Sequence, residues 1–281
     1  MPLGKTMILE TSQDDAPLLP ASTLDVSGLL GVARGWFIVQ QLSKNSPSIV
    51  VVKNHEQAQS IADDVRLFIN DREIYIFPLW DTLPFEMLSP QHEISAERLA
   101  ILNLISQNDN KDIFIFPGEA LVQKLPNQTS ILNFQIKSGD NLSAQDLEII
   151  LQKRGFRKAP LVEVTAQYSR RGLVLDFFQA LNKHPIRVEF LNDKIISINY
   201  FDSDTQRRID SIAECQITST VEVTQLNTEA QKELIERIRH RALFLETPPS
   251  ELNATIDKLN KYFSSPLDTF PALENILAIS D

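Results

Sequence analysis

Two rhythms of apolar residues alternate along the first 130 positions of this chain. Leu29 to Leu42 and Ile94 to Ile105 carry them at helical spacing. Glu56 to Ile69 is amphipathic, with Ile61, Val65 and Phe68 on one stripe and Asp63, Asp64 and Arg66 largely off it. Between these segments lie three short strand-like runs: Ser48 to Val52 (SIVVV), Ile74 to Phe77 (IYIF) and Asp112 to Phe116 (DIFIF). Pro117-Gly118 closes the last. Strands interleaved with helices predict right-handed crossovers and a parallel sheet.

Near Leu125-Pro126 the pattern changes. Ile131 to Ile136 reads as a strand and Ser143 to Lys153 as a helix. Ser143 is the expected N-cap, Asp146 stands three residues on, and Gly155 holds the place of a C-terminal glycine. Leu173 to Phe178, Ile186 to Leu191 and Lys194 to Phe201 follow as strands. Asn192-Asp193 suits a hairpin turn, because both residues tolerate a left-handed backbone. This second lobe is α+β with antiparallel strands. From about Thr218 the chain is helical again, with Thr228 to Leu243 and Ser250 to Phe263 split by Pro248-Pro249. These helices are expected to pack back on the first lobe. No internal repeat is visible.

Composition narrows the reading. A chain of 281 residues with 43% hydrophobic and 23% charged positions is an ordinary globular sequence. No apolar run is long enough to span a membrane, and Met1 to Ser12 lacks the core of a signal peptide. A single cysteine, Cys215, permits no internal disulfide and fits a reducing cytoplasm. The net charge of −10 opposes a nonspecific nucleic-acid coat. Residues 151–214 nevertheless hold 11 Lys and Arg against 8 Asp and Glu, so the second lobe is the basic part of an acidic protein.

Catalytic signatures are weak. The glycines of Gly28-Leu-Leu-Gly31-Val-Ala-Arg34-Gly35 come without the lysine and hydroxyl of a phosphate loop. They read better as a helix start with a glycine-assisted close contact. Gly4-Lys5-Thr6 has the letters but no strand before it. Phe116-Pro117-Gly118-Glu119 lacks the acidic pair of an ATPase. His55, His92, His184 and His240 are not at metal spacing and read as surface or packing residues. No cofactor, metal or catalytic residue is expected. The segment from Phe77 to Ile94, with Trp80, Phe85 and Met87, is too apolar to be left bare, so it is either buried or covered by a partner. In the second lobe, Arg187 and Glu189 share one strand face, opposite Ile186, Val188 and Phe190. Arg187 is either a protein-binding anchor or half of a weak ion pair with Glu189. On an exposed strand face its charge reversal is expected to leave the fold intact.

The same segments resemble the N-terminal, UvrB-like module of the bacterial transcription-repair coupling factors (Mfd). The resemblance rests on Gly28-Leu-Leu-Gly31-Val-Ala-Arg34, Ala62-Asp-Asp-Val-Arg66, Phe77-Pro-Leu-Trp-Asp-Thr-Leu-Pro-Phe85, Leu88-Ser-Pro90 and Ser95-Ala-Glu-Arg-Leu99. It continues through Tyr168-Ser-Arg-Arg171-Gly172, Leu175-Asp-Phe-Phe178, Pro185-Ile-Arg-Val-Glu-Phe190 and Phe201-Asp-Ser-Asp-Thr-Gln-Arg207. It implies a degenerate NTPase-like α/β domain over 1–130, an inserted α+β domain over 131–217 and a helical return segment over 218–281. It implies a non-catalytic module in which the second domain recruits UvrA, linking stalled transcription to nucleotide excision repair. The implied contact residues are Arg171, Arg187, Glu189 and Leu191, the last standing where the family often has an aromatic. In the full-length family, RNA polymerase and DNA are engaged by other regions, including an ATP-dependent translocase motor not expected within this chain. The alternatives are a DNA-binding module and an ATP-dependent nucleic-acid enzyme.

Overall fold

The computed structural model describes residues 26–42, 47–81, 91–107, 111–123, 125, 133–221 and 228–264. In the first lobe, β1 (Ser48–Val52), β2 (Ile74–Ile76) and β3 (Ile113–Pro117) form a parallel sheet in the order β1-β3-β2. All five residues of β3 are buried, as a central strand covered on both faces requires. Ile113 and Ile115 face α2 (His55–Arg66), which contributes Ala58, Ile61, Ala62 and Val65. Phe114 and Phe116 face the other way, with Phe77, Ala120 of α4 (Gly118–Leu121) and Ile101 of α3 (His92–Ser106). Phe77 stacks on Phe116 with ring centroids 4.7 Å apart. Trp80 is buried beside the Arg98 guanidinium, 4.9 Å from its ring centroid. Phe85 and Met87 lie outside the described residues.

One detail differs from the sequence reading, and the glycine-assisted close contact expected of residues 28–35 is found. α2 stops at Arg66, so Phe68 falls beyond the helix and is exposed rather than part of the stripe. Gly28 and Gly31 precede α1 (Ala33–Gln41), and the close contact is made by Gly35 within it. A Cβ on Gly35 would lie 2.6–2.9 Å from the Cβ and backbone of Asp64 on α2. Gly35→Ala therefore forces the two helices apart. It is expected to cost about 1–3 kcal/mol in a urea titration.

The second lobe is closed at its base. β4 (Asn133–Lys137) and β11 (Glu214–Thr218) pair antiparallel, bringing the two ends of the insertion side by side. The strand expected from Ile131 is thus observed from Asn133. Between them comes α5 (Ala144–Lys153), capped by Ser143 Oγ accepting from the Asp146 amide at 3.0 Å. A six-stranded sheet follows in the order β10-β9-β8-β7-β6-β5. Its strands are β5 (Arg157–Lys158), β6 (Gln167–Arg171), β7 (Val174–Phe177), β8 (Ile186–Leu191), β9 (Lys194–Phe201) and β10 (Arg208–Ile212). Only the short β5–β6 pair is parallel. β5, β6, β10 and β11 escaped the sequence reading because they are short or largely polar, with no run of apolar residues. Asn192 and Asp193 make the β8–β9 turn with φ of 49° and 56°, as their side chains allow. Beyond the sheet, α6 (Thr228–Phe244) and α7 (Pro249–Ser264) pack against each other.

The lobes meet across a seam that is apolar where Ala96 and Ala100 of α3 pack on Ala166 and Ala180, and polar beside it. Buried His92, at the start of α3, donates from Nε2 to the Gly155 carbonyl at 2.7 Å, and Thr220 Oγ1 lies 3.2 Å from the same nitrogen. A carbonyl can only accept, so Nε2 carries the proton. Gly155 ends α5 at φ 87°, where a Cβ would lie 2.6 Å from Val221. Asn103 of α3 donates to Thr218 Oγ1 at 3.3 Å, and the Thr220 amide donates to the Arg154 carbonyl at 2.8 Å. Burial, helped by nearby Arg157, pushes the His92 pKa down from 6.5 to about 4. Between those values the unfolded chain binds a proton that the folded chain excludes. Stability from this group is complete above pH 6.5 and is lost as pH falls towards 4. His92→Gln is expected to flatten that part of the stability profile by roughly 2 kcal/mol, as read from urea midpoints across the window.

Candidate protein-docking face

Strand alternation gives the six-stranded sheet two unlike faces. Tyr168, Leu175, Phe177, Ile186, Val188 and Ile198 point inward, where Leu147 and Leu151 of α5 cover them. The other face is polar. One row across it runs Ser169, Asp176, Arg187, Asn199 and Ser211 in register. A second runs Arg171, Val174, Glu189 and Ser197. Neighbouring arginines part company here. Arg170 turns back to Glu148 of α5 at 2.7 Å, and Arg171 joins the polar face.

Asp176 is the centre of that face. It is only 1% exposed, yet three charge-assisted hydrogen bonds reach it. Arg187 donates from Nε to Oδ1 at 2.7 Å and from Nη2 to Oδ2 at 2.8 Å. Arg171 donates from Nη2 to Oδ2 at 2.7 Å. Arg187 is held further by the Gln206 carbonyl and side chain, and its guanidinium lies 4.3 Å from the Phe201 ring centroid. The Asp176 hydrogen bond raises the Arg187 pKa above the ordinary guanidinium value.

Glu189 does not pair with Arg187. It accepts instead from Ser197 Oγ at 2.6 Å; Ser197 accepts in turn from Asn199 Nδ2, and Asn199 Oδ1 accepts from Ser211. The Arg187–Glu189 ion pair of the sequence reading is replaced by the buried Arg187–Asp176 pair, because Asp176 is directly opposite Arg187 in the β7–β8 register. The side chain of Arg187 is 21% exposed, against 51% for Arg171. Leu191 is exposed at the β8–β9 turn, with Leu173 at the β6–β7 turn and Ile196 on β9. Both turns lie at one end of the sheet, so these apolar side chains border the end that carries Arg171 and Glu189.

The described residues contain no group of histidine, cysteine or carboxylate side chains able to hold a metal ion. No helix among them is long and apolar enough to cross a membrane. Burial pushes the Cys215 thiol up to about 12, which makes it a poor nucleophile.

A sequence model of the UvrB interaction domain matches residues 134–222, the segment that builds this sheet. The transcription-repair-coupling factor of Haemophilus influenzae is 32% identical over 203 residues, covering 72% of this chain and 18% of its own length. That of Bacillus subtilis is 27% identical over 83% of the chain, and that of Myxococcus xanthus 28% over 83%. The chain is homologous to the N-terminal part of transcription-repair-coupling factors. It spans about a fifth of the length of these relatives.

Sequence reasoning named Arg171, Arg187, Glu189 and Leu191 but passed over Asp176, Phe201, Gln206 and Ser197. Asp176 carried a signal: an acid between Leu175 and Phe177 in a strand must face away from the core. Its position also changes the consequence of substitution. Arg187→Glu sets a carboxylate against a buried carboxylate and removes the guanidinium that compensates it. It is expected to destabilise the fold by about 3 kcal/mol or more. The half-exposed Arg171→Glu can swing into water and is expected to cost about 1 kcal/mol. Urea denaturation of both variants beside wild type measures the difference.

Proposed function

We propose that this chain is a non-catalytic docking module of the coupling-factor type, which recruits UvrA and so links stalled transcription to nucleotide excision repair. The observation that carries the reading is the UvrB interaction domain match, which falls on the sheet whose outer face holds Arg171 and Arg187 on Asp176. In this reading residues 1–130 form a degenerate nucleotide-binding-like domain, 131–217 the docking domain and 218–281 a return segment. The contact set is Arg171, Arg187, Glu189 and Leu191, with Arg187 offering only the edge of a side chain that is 21% exposed. The arginines supply planar donors, and Leu191 supplies apolar area at the rim. The module acts in the cytoplasm, where UvrA meets transcribed DNA.

The test is a titration against purified UvrA. Arg171→Glu is the informative variant, since Arg187→Glu confounds binding with folding. Wild type should bind, and Arg171→Glu should bind at least about tenfold more weakly with an unchanged circular dichroism spectrum. Equal binding by both would place the contact elsewhere on the chain. No binding by wild type would remove the recruitment reading.

A further inference from the structure

We propose that Asp176 is the positioning residue of the docking face: it holds Arg171 and Arg187 in fixed directions, so that Arg171 is presented to the partner while Arg187 braces the site. This rests on the UvrA-docking reading of the same face.

The two arginines are not equivalent. A guanidinium has five N–H donors. Arg187 directs its Nε and Nη2 to Asp176, Nη2 again to Gln206 Oε1, and Nη1 to the Gln206 carbonyl. Its flat face rests against Phe201. Little of its hydrogen-bonding capacity is left for another molecule. Gln206 itself sits at φ 60°, in the short connection from β9 to β10 that folds over Arg187. Arg171 makes one bond, from Nη2 to Asp176, and half of its side chain faces solvent. Among the described residues its Nε and Nη1 find no hydrogen-bond acceptor.

Two guanidiniums on Asp176 leave one positive charge there, which Glu189 on the same face balances overall. What is presented is therefore a directed donor rather than a net charge, and Asp176 is too buried to meet a partner itself. Without the carboxylate the two like charges would repel and the exposed arginine would lose its direction. A partner carboxylate between apolar side chains matches what is presented: a held guanidinium near Leu173 and Leu191. Fixing a long side chain before binding lowers the entropy cost of association.

Three variants test this: Asp176→Asn, Arg187→Gln, and the two combined. The combined variant removes both buried charges at once, so it keeps a folded reference if Asp176→Asn alone fails to fold. Side-chain nitrogen relaxation by NMR reads the order of Arg171 directly, with no partner present. Arg171 should be ordered in wild type and in Arg187→Gln, where Asp176 still holds it. It should be mobile in Asp176→Asn and in the combined variant. Affinity for purified UvrA should fall about fivefold or more from Arg187→Gln to the combined variant, with little change in melting temperature. An Arg171 equally ordered in those two variants overturns the proposal, whatever UvrA does. A released Arg171 with unchanged UvrA affinity overturns its role in docking. If wild type does not bind UvrA, the recruitment reading fails, and the NMR result alone then decides whether Asp176 positions Arg171.

Discussion

The packing of α5 against one face of the six-stranded sheet governs the second lobe. Strand alternation commits every other side chain of β6 to β9 to that contact, where Leu147 and Leu151 meet Leu175, Phe177, Ile186 and Val188. The opposite face is whatever the intervening positions supply. A one-residue slip in any of these strands would bury Arg187 or Asp176 beneath the helix and expose Val188 or Phe177. The face that carries Arg187 and Asp176 therefore depends on the register of the core, and the β6–β7 and β8–β9 turns lie at the end that carries Leu173 and Leu191.

Buried ion pairs contribute little net stability, because desolvation offsets most of the attraction. Their value here is geometric. Asp176 sits where only a donor-rich neighbour can compensate it, and the β7–β8 register puts Arg187 directly opposite. The same buried carboxylate that makes Arg187 intolerant of charge reversal also fixes the direction of Arg171. In the proposed docking role, stability and recognition would therefore share one group.

A second constraint joins the lobes. The ends of the insertion are paired as β4 and β11, so the lobe returns the chain close to where it left. His92, Asn103, Thr218 and Thr220 then bond across the seam. Polar seams of this kind orient two bodies more strictly than apolar contact does, because each donor needs its acceptor at one distance and angle. Gly155 admits the close approach, having no Cβ to strike Val221. The orientation of the sheet relative to the first lobe is set by these bonds together with the apolar packing of Ala96 and Ala100 of α3 on Ala166, Ala180 and Leu181.

Much of the architecture was legible in the residues. Continuous apolar runs such as IYIF and DIFIF, separated by helical patterns, dictated a parallel sheet, because only strands covered on both faces are apolar throughout. The alternation in Ile186 to Leu191 dictated which side chains face the core, and Asn192-Asp193 dictated the turn. Ser143 and Gly155 marked the ends of α5. These are local properties, fixed by backbone sterics and side-chain period. Polar strands such as β6 and β10 were not legible, since their assignment comes from neighbours that pair with them rather than from their own pattern. Nor was the partner of Arg187. Glu189 is two residues away along the strand and Asp176 eleven, and only the register between β7 and β8 makes the distant acid the nearer one. Hydrogen-bond partners across a sheet belong to tertiary structure, because pairing brings together positions whose separation in sequence carries no information about distance.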